Sequence, residues 1–201
     1  MLHVGLTGGL ASGKSFVGSA LADLGCFLIQ ADALGHSVIE PDGEAYQGVI
    51  HSFGRAILNA DGTVDRRRLA AIAFADPEQL AILNALVHPP VKARERALTA
   101  AFAREHPDGI AVTEAAILVE TGSYKDYDRL IVASCLPEQQ VARAMERDGA
   151  SREEVLNRLR RQMPLADKVK YADFVIDTSG SRENTLLQTR AVYEELRRLK
   201  P

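Results

Sequence analysis

An eight-residue segment near the N-terminus has the composition and spacing of a nucleotide phosphate-binding loop. Residues 8–15 read GGLASGKS, which matches the pattern G-x-x-x-x-G-K-[ST] at every fixed position. We expect Gly8 and Gly13 to adopt backbone dihedral angles that are closed to other residues, so that successive N–H groups point at phosphate oxygens. We expect Lys14 to reach the β- and γ-phosphates of a nucleotide, and the Ser15 hydroxyl to ligate Mg²⁺.

Asp32 is a candidate for acid–base work on an acceptor hydroxyl. It comes directly after the apolar run 26–31, and the carboxyl edge of an open α/β sheet is where such folds bind ligands. A carboxylate there can orient the hydroxyl during in-line phosphoryl transfer or take its proton. The alternative is that Asp32 only caps a helix over residues 33–39.

A second acid follows the next apolar run. Glu114 comes after residues 109–113, and an acid at that edge can hold Mg²⁺ through water. Glu120 is the rival for this role, and we favour Glu114 because Glu120 has the alternative of being an exposed loop acid. His88 precedes two prolines, and we interpret it as a structural or substrate-positioning residue rather than a catalytic one.

The pattern around these residues predicts an α/β fold. An apolar strand pattern precedes the loop, and a helical apolar face that includes Val17 and Leu21 follows it, which is the context that the motif requires. Continuous apolar runs that alternate with helical patterns are typical of a parallel sheet covered on both faces. Five such runs predict five parallel strands: Leu2–Thr7, Cys26–Ala31, Gly109–Thr113, Arg129–Ser134 and Asp173–Asp177.

Two insertions interrupt this alternation. About 75 residues of mostly helical pattern separate the second and third runs, which predicts a helical subdomain over residues 32–108. Within it we expect a helix over 44–53, a turn at Asp61-Gly62, and a break or kink at Pro89-Pro90. The second insertion, residues 137–171, is rich in arginine. It predicts either a solvated charged face or a mobile lid over the nucleotide.

Capping residues predict several helix starts. We expect Asp65 to cap a helix over 66–74, Ser151 with Glu154 to form a capping box for a helix over 151–162, and Pro137 to lie in a first helical turn. Ser181 is expected to open the last helix. The apolar residues of that helix recur at helical spacing, which predicts a buried face of Leu187, Val192, Leu196 and Leu199.

Composition narrows the class of protein. The net charge of −3 leaves no global basic field, so we expect no nucleic-acid partner. Cys26 and Cys135 lie in apolar runs, which favours reduced thiols and a cytoplasmic protein. No apolar run is long enough to span a membrane.

The usual Asn-Lys-x-Asp guanine signature and the Asp-Glu pair of motor ATPases are absent, which favours a small-molecule kinase over a GTPase or a motor. A different small kinase and a nucleotide-dependent switch without turnover remain as alternatives.

The order of these motifs over nearly the whole chain resembles the dephospho-CoA kinase family. The resemblance implies a single P-loop kinase domain over residues 1–201, with a helical CoA-binding region and a lid. It implies transfer of the γ-phosphoryl group of ATP to the ribose 3′-hydroxyl of dephospho-CoA, with Mg²⁺, by a monomer or small homo-oligomer. It is carried by Gly5 to Gly9, Ala31-Asp32, His36, Phe53-Gly54, Asp61-Gly62, Asp65-Arg66, Leu69, Leu83-Asn84, His88-Pro89, Ile117 to Glu120, Arg143, Arg147, Gln162, Ala172-Asp173 and Val175 to Asp177.

The same resemblance implies residue roles. Asp32 would be the catalytic carboxylate, Lys14 a catalytic cation, and Arg147 a lid cation on the transferring phosphates, with Arg143 a weaker candidate. Gln30 replaces the first acid of the family's usual Asp-Ala-Asp, so the acidic role falls on Asp32. Thr178 replaces a usual asparagine near the adenine end, and Ala116 a usual proline. The expected nucleotide-binding residues are Gly8, Gly9, Ala11, Ser12, Gly13, Lys14, Ser15 and Phe16, where Ala11 replaces a usual glycine and Phe16 a common threonine.

Overall fold

A parallel β-sheet forms the centre of the nucleotide-binding part of the molecule. The computed structural model describes residues 1–199, and within them five strands pair in parallel in the order β2-β3-β1-β4-β5. Each of the five predicted runs forms one of these strands, so the predicted α/β fold class is confirmed. The strands are β1 (Leu2–Gly8), β2 (Phe27–Gln30), β3 (Ile110–Glu114), β4 (Arg129–Ser134) and β5 (Phe174–Asp177).

Helices connect the strands. In residues 1–199 there are also three short 3₁₀ helices, at Arg55–Ile57, Ser123–Asp126 and Val169–Tyr171. The α-helices of the same part of the chain are α1 (Lys14–Asp23), α2 (Ala31–Ser37), α3 (Tyr46–Phe53), α4 (Arg66–Ala75), α5 (Pro77–Glu105), α6 (Pro137–Asp148), α7 (Arg152–Leu159), α8 (Leu165–Lys168) and α9 (Arg182–Arg198).

The chain divides into two compact units. The first comprises Met1–Gln30 together with the chain from Thr99 onward, and it contains the whole sheet. The second comprises Ala31–Leu98, and it contains α2, α3, α4 and most of α5. The sequence predicts its helical insertion over residues 32–108.

The core of the first unit lies between the central strands and two helices. All five residues of β3 are buried, as continuous apolar runs in a doubly covered parallel sheet require. Val4 of β1 is in register with Val112, and Leu6 with Ile131. Side chains from α1 and α9 pack against this layer. The sheet is therefore a rigid base for the residues at its carboxyl edge.

The second unit has a small core of its own and well-formed local caps. Asp65 caps α4 by accepting hydrogen bonds from the backbone N–H groups of Arg67 (3.0 Å) and Arg68 (3.1 Å). At the predicted Asp61-Gly62 turn, Gly62 has a φ of 86° and Asp61 accepts a hydrogen bond from the N–H of Thr63. The core includes Val38, Val49, Ile57, Leu69 and Ala73.

Three helix predictions differ from the structure. Helix α5 continues through Pro89 and Pro90, so a break at these residues is wrong, while a kink stays a prediction. Proline removes an N–H donor, but its φ is compatible with a helix. Helix α3 begins at Tyr46 rather than at residue 44, and Glu44 lies before it, paired with Arg94 (2.6 Å). Helix α7 begins after its predicted capping box but ends at Leu159 rather than at residue 162.

The buried face of α9 also differs from the prediction. Ser181 caps the helix as predicted, and Val192 and Leu196 are buried, but Leu187 is 68% exposed and Leu199 is 40% exposed. Two threonines take their place on the inward face. Thr185 and Thr189 can be buried because each hydroxyl donates a hydrogen bond to the carbonyl group four residues earlier (3.2 and 2.8 Å). Apolar spacing alone did not identify this face.

Cys26 and Cys135 are both buried and are not joined in a disulfide, as predicted. Burial is the largest influence on Cys135, and it raises the pKa of that thiol. Within residues 1–199, no helix is both long and apolar enough to cross a lipid bilayer.

Candidate active site

The phosphate loop connects the end of β1 to the start of α1. Gly13 is the N-cap of α1 and has a φ of 85°, a left-handed conformation that favours glycine. Gly8 does not have a positive φ, so the expectation of an unusual backbone conformation there is wrong. Glycine is needed at this position because there is no room for a side chain. A Cβ on Gly8 would lie 2.3 Å from Ser12 Oγ and 2.7 Å from the carbonyl oxygen of Ala133. A side chain at Gly8 would force the loop away from the sheet.

Ala11 has an unusual conformation for its residue type. Its φ is 54°, and it is the one residue other than glycine in 1–199 with a positive φ. The left-handed region brings Cβ close to the following carbonyl oxygen, which is why glycine is preferred there. The alanine therefore places local strain at the centre of the loop.

Lys14, Ser15 and Glu114 meet at the carboxyl edge of the sheet. Glu114 ends β3 and is 5% exposed. Its Oε1 atom accepts a hydrogen bond from the Ser15 hydroxyl (2.6 Å) and lies 3.4 Å from Lys14 Nζ. Its Oε2 atom is buried and has no hydrogen-bond partner in the described part of the chain. Ser15 and Glu114, the two residues predicted to hold Mg²⁺, are thus in direct contact.

The loop lines an open cavity of about 280 Å³. Two arginines from α6 line the same cavity, Arg143 and Arg147. Positive charge on both sides of a cavity attracts an anionic ligand such as a polyphosphate. The loop residues that line the cavity are Gly9, Ala11, Ser12, Gly13, Lys14, Ser15 and Phe16, all of them predicted nucleotide-binding residues.

Each cavity arginine also has a partner in the protein. Arg143 donates a hydrogen bond to the carbonyl oxygen of Thr178 (2.7 Å). Arg147 pairs with Asp148 (2.7 Å between Nε and Oδ1), and Asp148 pairs in turn with Arg158 (2.5 Å). Hydrogen bonds from these two arginines hold the pKa of Asp148 well below its usual range, so this acid stays charged at neutral pH.

Asp32 belongs to the second compact unit, two residues after the end of β2. It is the second residue of α2, which begins at Ala31, so it lies within the first turn of that helix and is not its N-cap. Its carboxylate is exposed and accepts no hydrogen bond from any of residues 1–199. Nearby His36 has a lowered pKa, chiefly because of burial and also because of Arg66, while Asp32 acts to raise it. His88 has a lowered pKa as well, mainly from burial.

Glu120 does not contact Lys14 or Ser15 and is paired elsewhere in the first unit. It forms an ion pair with Lys168 (2.8 Å), whose side chain is fully buried. Glu114 contacts the phosphate loop through Lys14 and Ser15, and Glu120 does so only through Lys168. Glu114 is therefore the acid nearer the phosphate loop, and its role at a metal stays a prediction.

A family model for dephospho-CoA kinase matches residues 2–184. The chain belongs to the dephospho-CoA kinase family. Among curated relatives, the dephospho-CoA kinase of Aquifex aeolicus is 41% identical over 198 residues, which cover 98% of this chain and 99% of the relative. The enzyme of Carboxydothermus hydrogenoformans is 41% identical over 192 residues, 96% of this chain and 93% of the relative.

Solved structures extend the likeness to dephospho-CoA kinases in three dimensions. The dephospho-CoA kinase of Campylobacter jejuni has a TM-score of 0.72 and 25% identity, and the match covers 98% of this chain and 97% of that one. A solved structure from Thermus thermophilus has a TM-score of 0.82 and 35% identity, covering 100% and 98%. A shikimate kinase from Bacteroides thetaiotaomicron has a TM-score of 0.51 at 12% identity and shares the fold alone.

Three residues around the loop of this dephospho-CoA kinase family member were not predicted as site residues. Thr178 donates a hydrogen bond from its hydroxyl to the carbonyl oxygen of Ser12 (2.7 Å). Gln140 donates to the carbonyl oxygen of Leu10 (2.8 Å), and Gln162 accepts from the N–H of Leu10 (2.9 Å). Gln162 is one of the residues that carry the family resemblance, and Thr178 is a departure from the family pattern. Gln140 had no signal in the sequence.

The strain at Ala11 leads to a stability prediction. We expect Ala11→Gly to raise the free energy of unfolding by about 0.5–1 kcal/mol, because the left-handed region costs a non-glycine residue about 1–2 kcal/mol and glycine loses about 0.5–1 kcal/mol more backbone freedom. Denaturant unfolding measures the change. The matched control is Ala142→Gly on the exposed face of α6, where the same substitution should lower stability by about 1 kcal/mol. Equal destabilisation by both variants would contradict the strain at Ala11.

Proposed function

We propose that this protein transfers the γ-phosphoryl group of ATP to the ribose 3′-hydroxyl of dephospho-CoA, giving coenzyme A and ADP in the last step of coenzyme A synthesis. The observation that carries the proposal is the cluster of Lys14, Ser15 and Glu114 at the phosphate loop of a dephospho-CoA kinase family member. Phosphoryl transfer depends mostly on positioning and charge neutralisation, and this cluster supplies groups for both.

The loop and Lys14 hold the triphosphate. The N-terminus of α1 and the loop N–H groups form an anion-binding site, and Lys14 adds a mobile cation on a flexible stem. In the proposed reaction the ammonium group of Lys14 neutralises charge on the β- and γ-phosphates. Its side chain is 13% exposed, so this charge acts where water screens it little.

Ser15 and Glu114 fit a Mg²⁺ site. Mg²⁺ prefers oxygen ligands and is usually bound through one or two protein groups, waters and substrate phosphates. The Ser15 hydroxyl and the Oε1 atom of Glu114, which lie 2.6 Å apart, are oxygen donors of this kind. Bound Mg²⁺ would neutralise phosphate charge and align the phosphates.

Asp32 acts on the acceptor. A ribose hydroxyl is too weak an acid to lose its proton early, so the Asp32 carboxylate orients the hydroxyl and accepts its proton late in the transfer. The exposed carboxylate, without a hydrogen-bond partner in the described chain, is available for this contact. Gln30, the last residue of β2, is neutral and cannot replace it.

Residues 137–171 form the lid and residues 32–108 the CoA-binding region in this proposal. Arg147 places its charge on the transferring phosphates, and Arg143 assists from the same cavity. Helices α6 and α7 share a small apolar core of Val141, Ala144 and Val155, which also contacts Ala11 of the loop. The lid is thereby joined to the phosphate loop through packing.

The test is a panel of acceptors with ATP and Mg²⁺. We expect ADP and coenzyme A to form with dephospho-CoA, and no ADP above background with AMP, adenosine or no acceptor. Transfer to AMP in preference to dephospho-CoA would favour a nucleoside monophosphate kinase. ATP binding without transfer to any acceptor would favour a nucleotide-dependent switch.

We further propose that the enzyme works in the cytoplasm as a monomer or small homo-oligomer, without nucleic-acid partners. The two buried cysteines, which are not joined in a disulfide, support a reducing compartment. The net charge of −3 supports the lack of nucleic-acid binding. Cell fractionation tests the location, and light scattering the oligomeric state.

A further inference from the structure

Lys168 is a buried cation whose charge the mechanism does not use. Its side chain is fully buried at the end of α8. Three oxygen atoms surround the ammonium group: the carbonyl of Ala116 (2.7 Å), Oε1 of Glu120 (2.8 Å) and the carbonyl of Gly8 (3.3 Å). A buried charge is costly unless it is paired and hydrogen-bonded, and these contacts meet both needs.

The contact with Gly8 reaches the first peptide of the phosphate loop. The carbonyl group of Gly8 and the N–H group of Gly9 belong to one trans peptide plane, so they point in opposite directions. When Lys168 donates a hydrogen bond to the carbonyl oxygen of Gly8, it therefore also fixes the direction in which the N–H of Gly9 points. Gly9 lines the cavity that takes the phosphates in the proposed function.

Two other loop peptides are held in the same way. Gln140 donates to the carbonyl of Leu10, which fixes the N–H of Ala11, and Thr178 donates to the carbonyl of Ser12, which fixes the N–H of Gly13. Lys168 is the charged donor of this set. Its contact with Gly8 is the longest of the three (3.3 Å against 2.8 and 2.7 Å), but it is the one that carries a full charge, which strengthens a hydrogen bond.

Glu120 also connects Lys168 to the segment that follows α7, within the predicted lid of residues 137–171. The Oε1 atom of Glu120 also accepts a hydrogen bond from the N–H of Met163 (3.1 Å). The neighbouring residue, Gln162, accepts the hydrogen bond from the N–H of Leu10. The segment after α7 is thus hydrogen-bonded to the phosphate loop directly through Gln162. It is also linked to the loop indirectly, through Glu120 and Lys168.

We infer that Lys168, held by Glu120, is a positioning residue that orients the first peptide of the phosphate loop and thereby sets the affinity for nucleotide phosphates. The inference rests on the proposed function, since it takes the loop to be the ATP site. The burial of Lys168 lowers its pKa, and Glu120 opposes this effect. The ion pair with Glu120 at 2.8 Å favours the charged form of the ammonium group, which the role requires.

The test compares Lys168→Met with Lys170→Met. Methionine preserves the length and apolar stem of lysine and removes the donor. Lys170 is two residues away, with a side chain that is 73% exposed and paired with Asp167. We expect Lys168→Met to weaken ADP binding, measured by calorimetry without dephospho-CoA, by roughly ten- to hundredfold, because a hydrogen bond that involves a charged group contributes effects of about this size. The KM for ATP should rise in parallel, the KM for dephospho-CoA should stay unchanged, and Lys170→Met should match the wild type.

A double variant separates positioning from stability. Lys168→Met alone leaves the Glu120 carboxylate without its cation, which lowers stability. In Glu120→Gln/Lys168→Met both charges are gone, so we expect the melting temperature to recover while ADP binding stays weak. Recovery of ADP binding together with stability would overturn the inference, and so would unchanged ADP binding in Lys168→Met. If wild-type protein binds ADP but makes no coenzyme A, the proposed function fails, and the binding comparison still tests Lys168.

Discussion

Lys14→Met is expected to lower kcat/KM for ATP by about 10³ or more, since cations on the transferring phosphates contribute effects of this order in phosphoryl transfer. The substitution removes the ammonium group 3.4 Å from Glu114 Oε1 and keeps most of the side-chain volume. Steady-state kinetics with dephospho-CoA as acceptor measures the loss. The matched control is the exposed Lys170, where the same substitution should leave the kinetics unchanged.

The stability of this variant must be measured beside its activity. Glu114 is 5% exposed, and removal of its neighbouring cation leaves a buried carboxylate held by the Ser15 hydroxyl. Breaking a buried pair in this way lowers stability. Circular dichroism at the assay temperature shows whether the variant is folded. A folded Lys14→Met enzyme that keeps most of its turnover would contradict the assignment of the loop.

Asp32→Asn is expected to lower kcat by about 10² to 10⁴, the usual effect of losing a positioned acid or base, while the KM values for ATP and dephospho-CoA change little. Asparagine keeps the shape of the side chain and removes the charge that orients the hydroxyl and accepts its proton. Initial rates at saturating concentrations of both substrates measure kcat directly.

Asp42→Asn is the control for this substitution, because Asp42 is another exposed carboxylate of the second unit. We expect it to behave as the wild type. If Asp32→Asn instead has a nearly normal kcat and a much higher KM for dephospho-CoA, Asp32 is a binding residue. Glu114 or Glu120 would then be the next acid to test.

The sequence predicts those parts of the fold that local patterns determine. Five apolar runs give the five strands, and Asp65, Ser151 and Ser181 cap the helices that follow them, because a cap depends on residues within three or four positions. The Gly13-Lys14-Ser15 end of the phosphate loop is equally local. Its identification needs only the spacing and the flanking strand and helix.

Contacts between distant parts of the chain could not be predicted in this way. Lys168 and Gly8 are 160 residues apart, Gln140 and Leu10 are 130 apart, and Thr178 and Ser12 are 166 apart. Each contact exists because the strand order places these segments side by side, and no periodic pattern encodes it. The buried threonines of α9 could not be predicted for a different reason. Their hydroxyls donate hydrogen bonds to carbonyl groups of the same helix, so these polar residues can be buried and hydropathy does not identify them.

The most direct test follows the transferred phosphoryl group itself. The purified protein is incubated with ATP labelled at the γ-phosphate, Mg²⁺ and dephospho-CoA, and the labelled product is analysed by mass spectrometry and phosphorus NMR. We predict that the label appears as a monoester on the ribose 3′-oxygen, with one ADP formed for each coenzyme A. Label on another acceptor, or on inorganic phosphate alone, would contradict the proposed reaction.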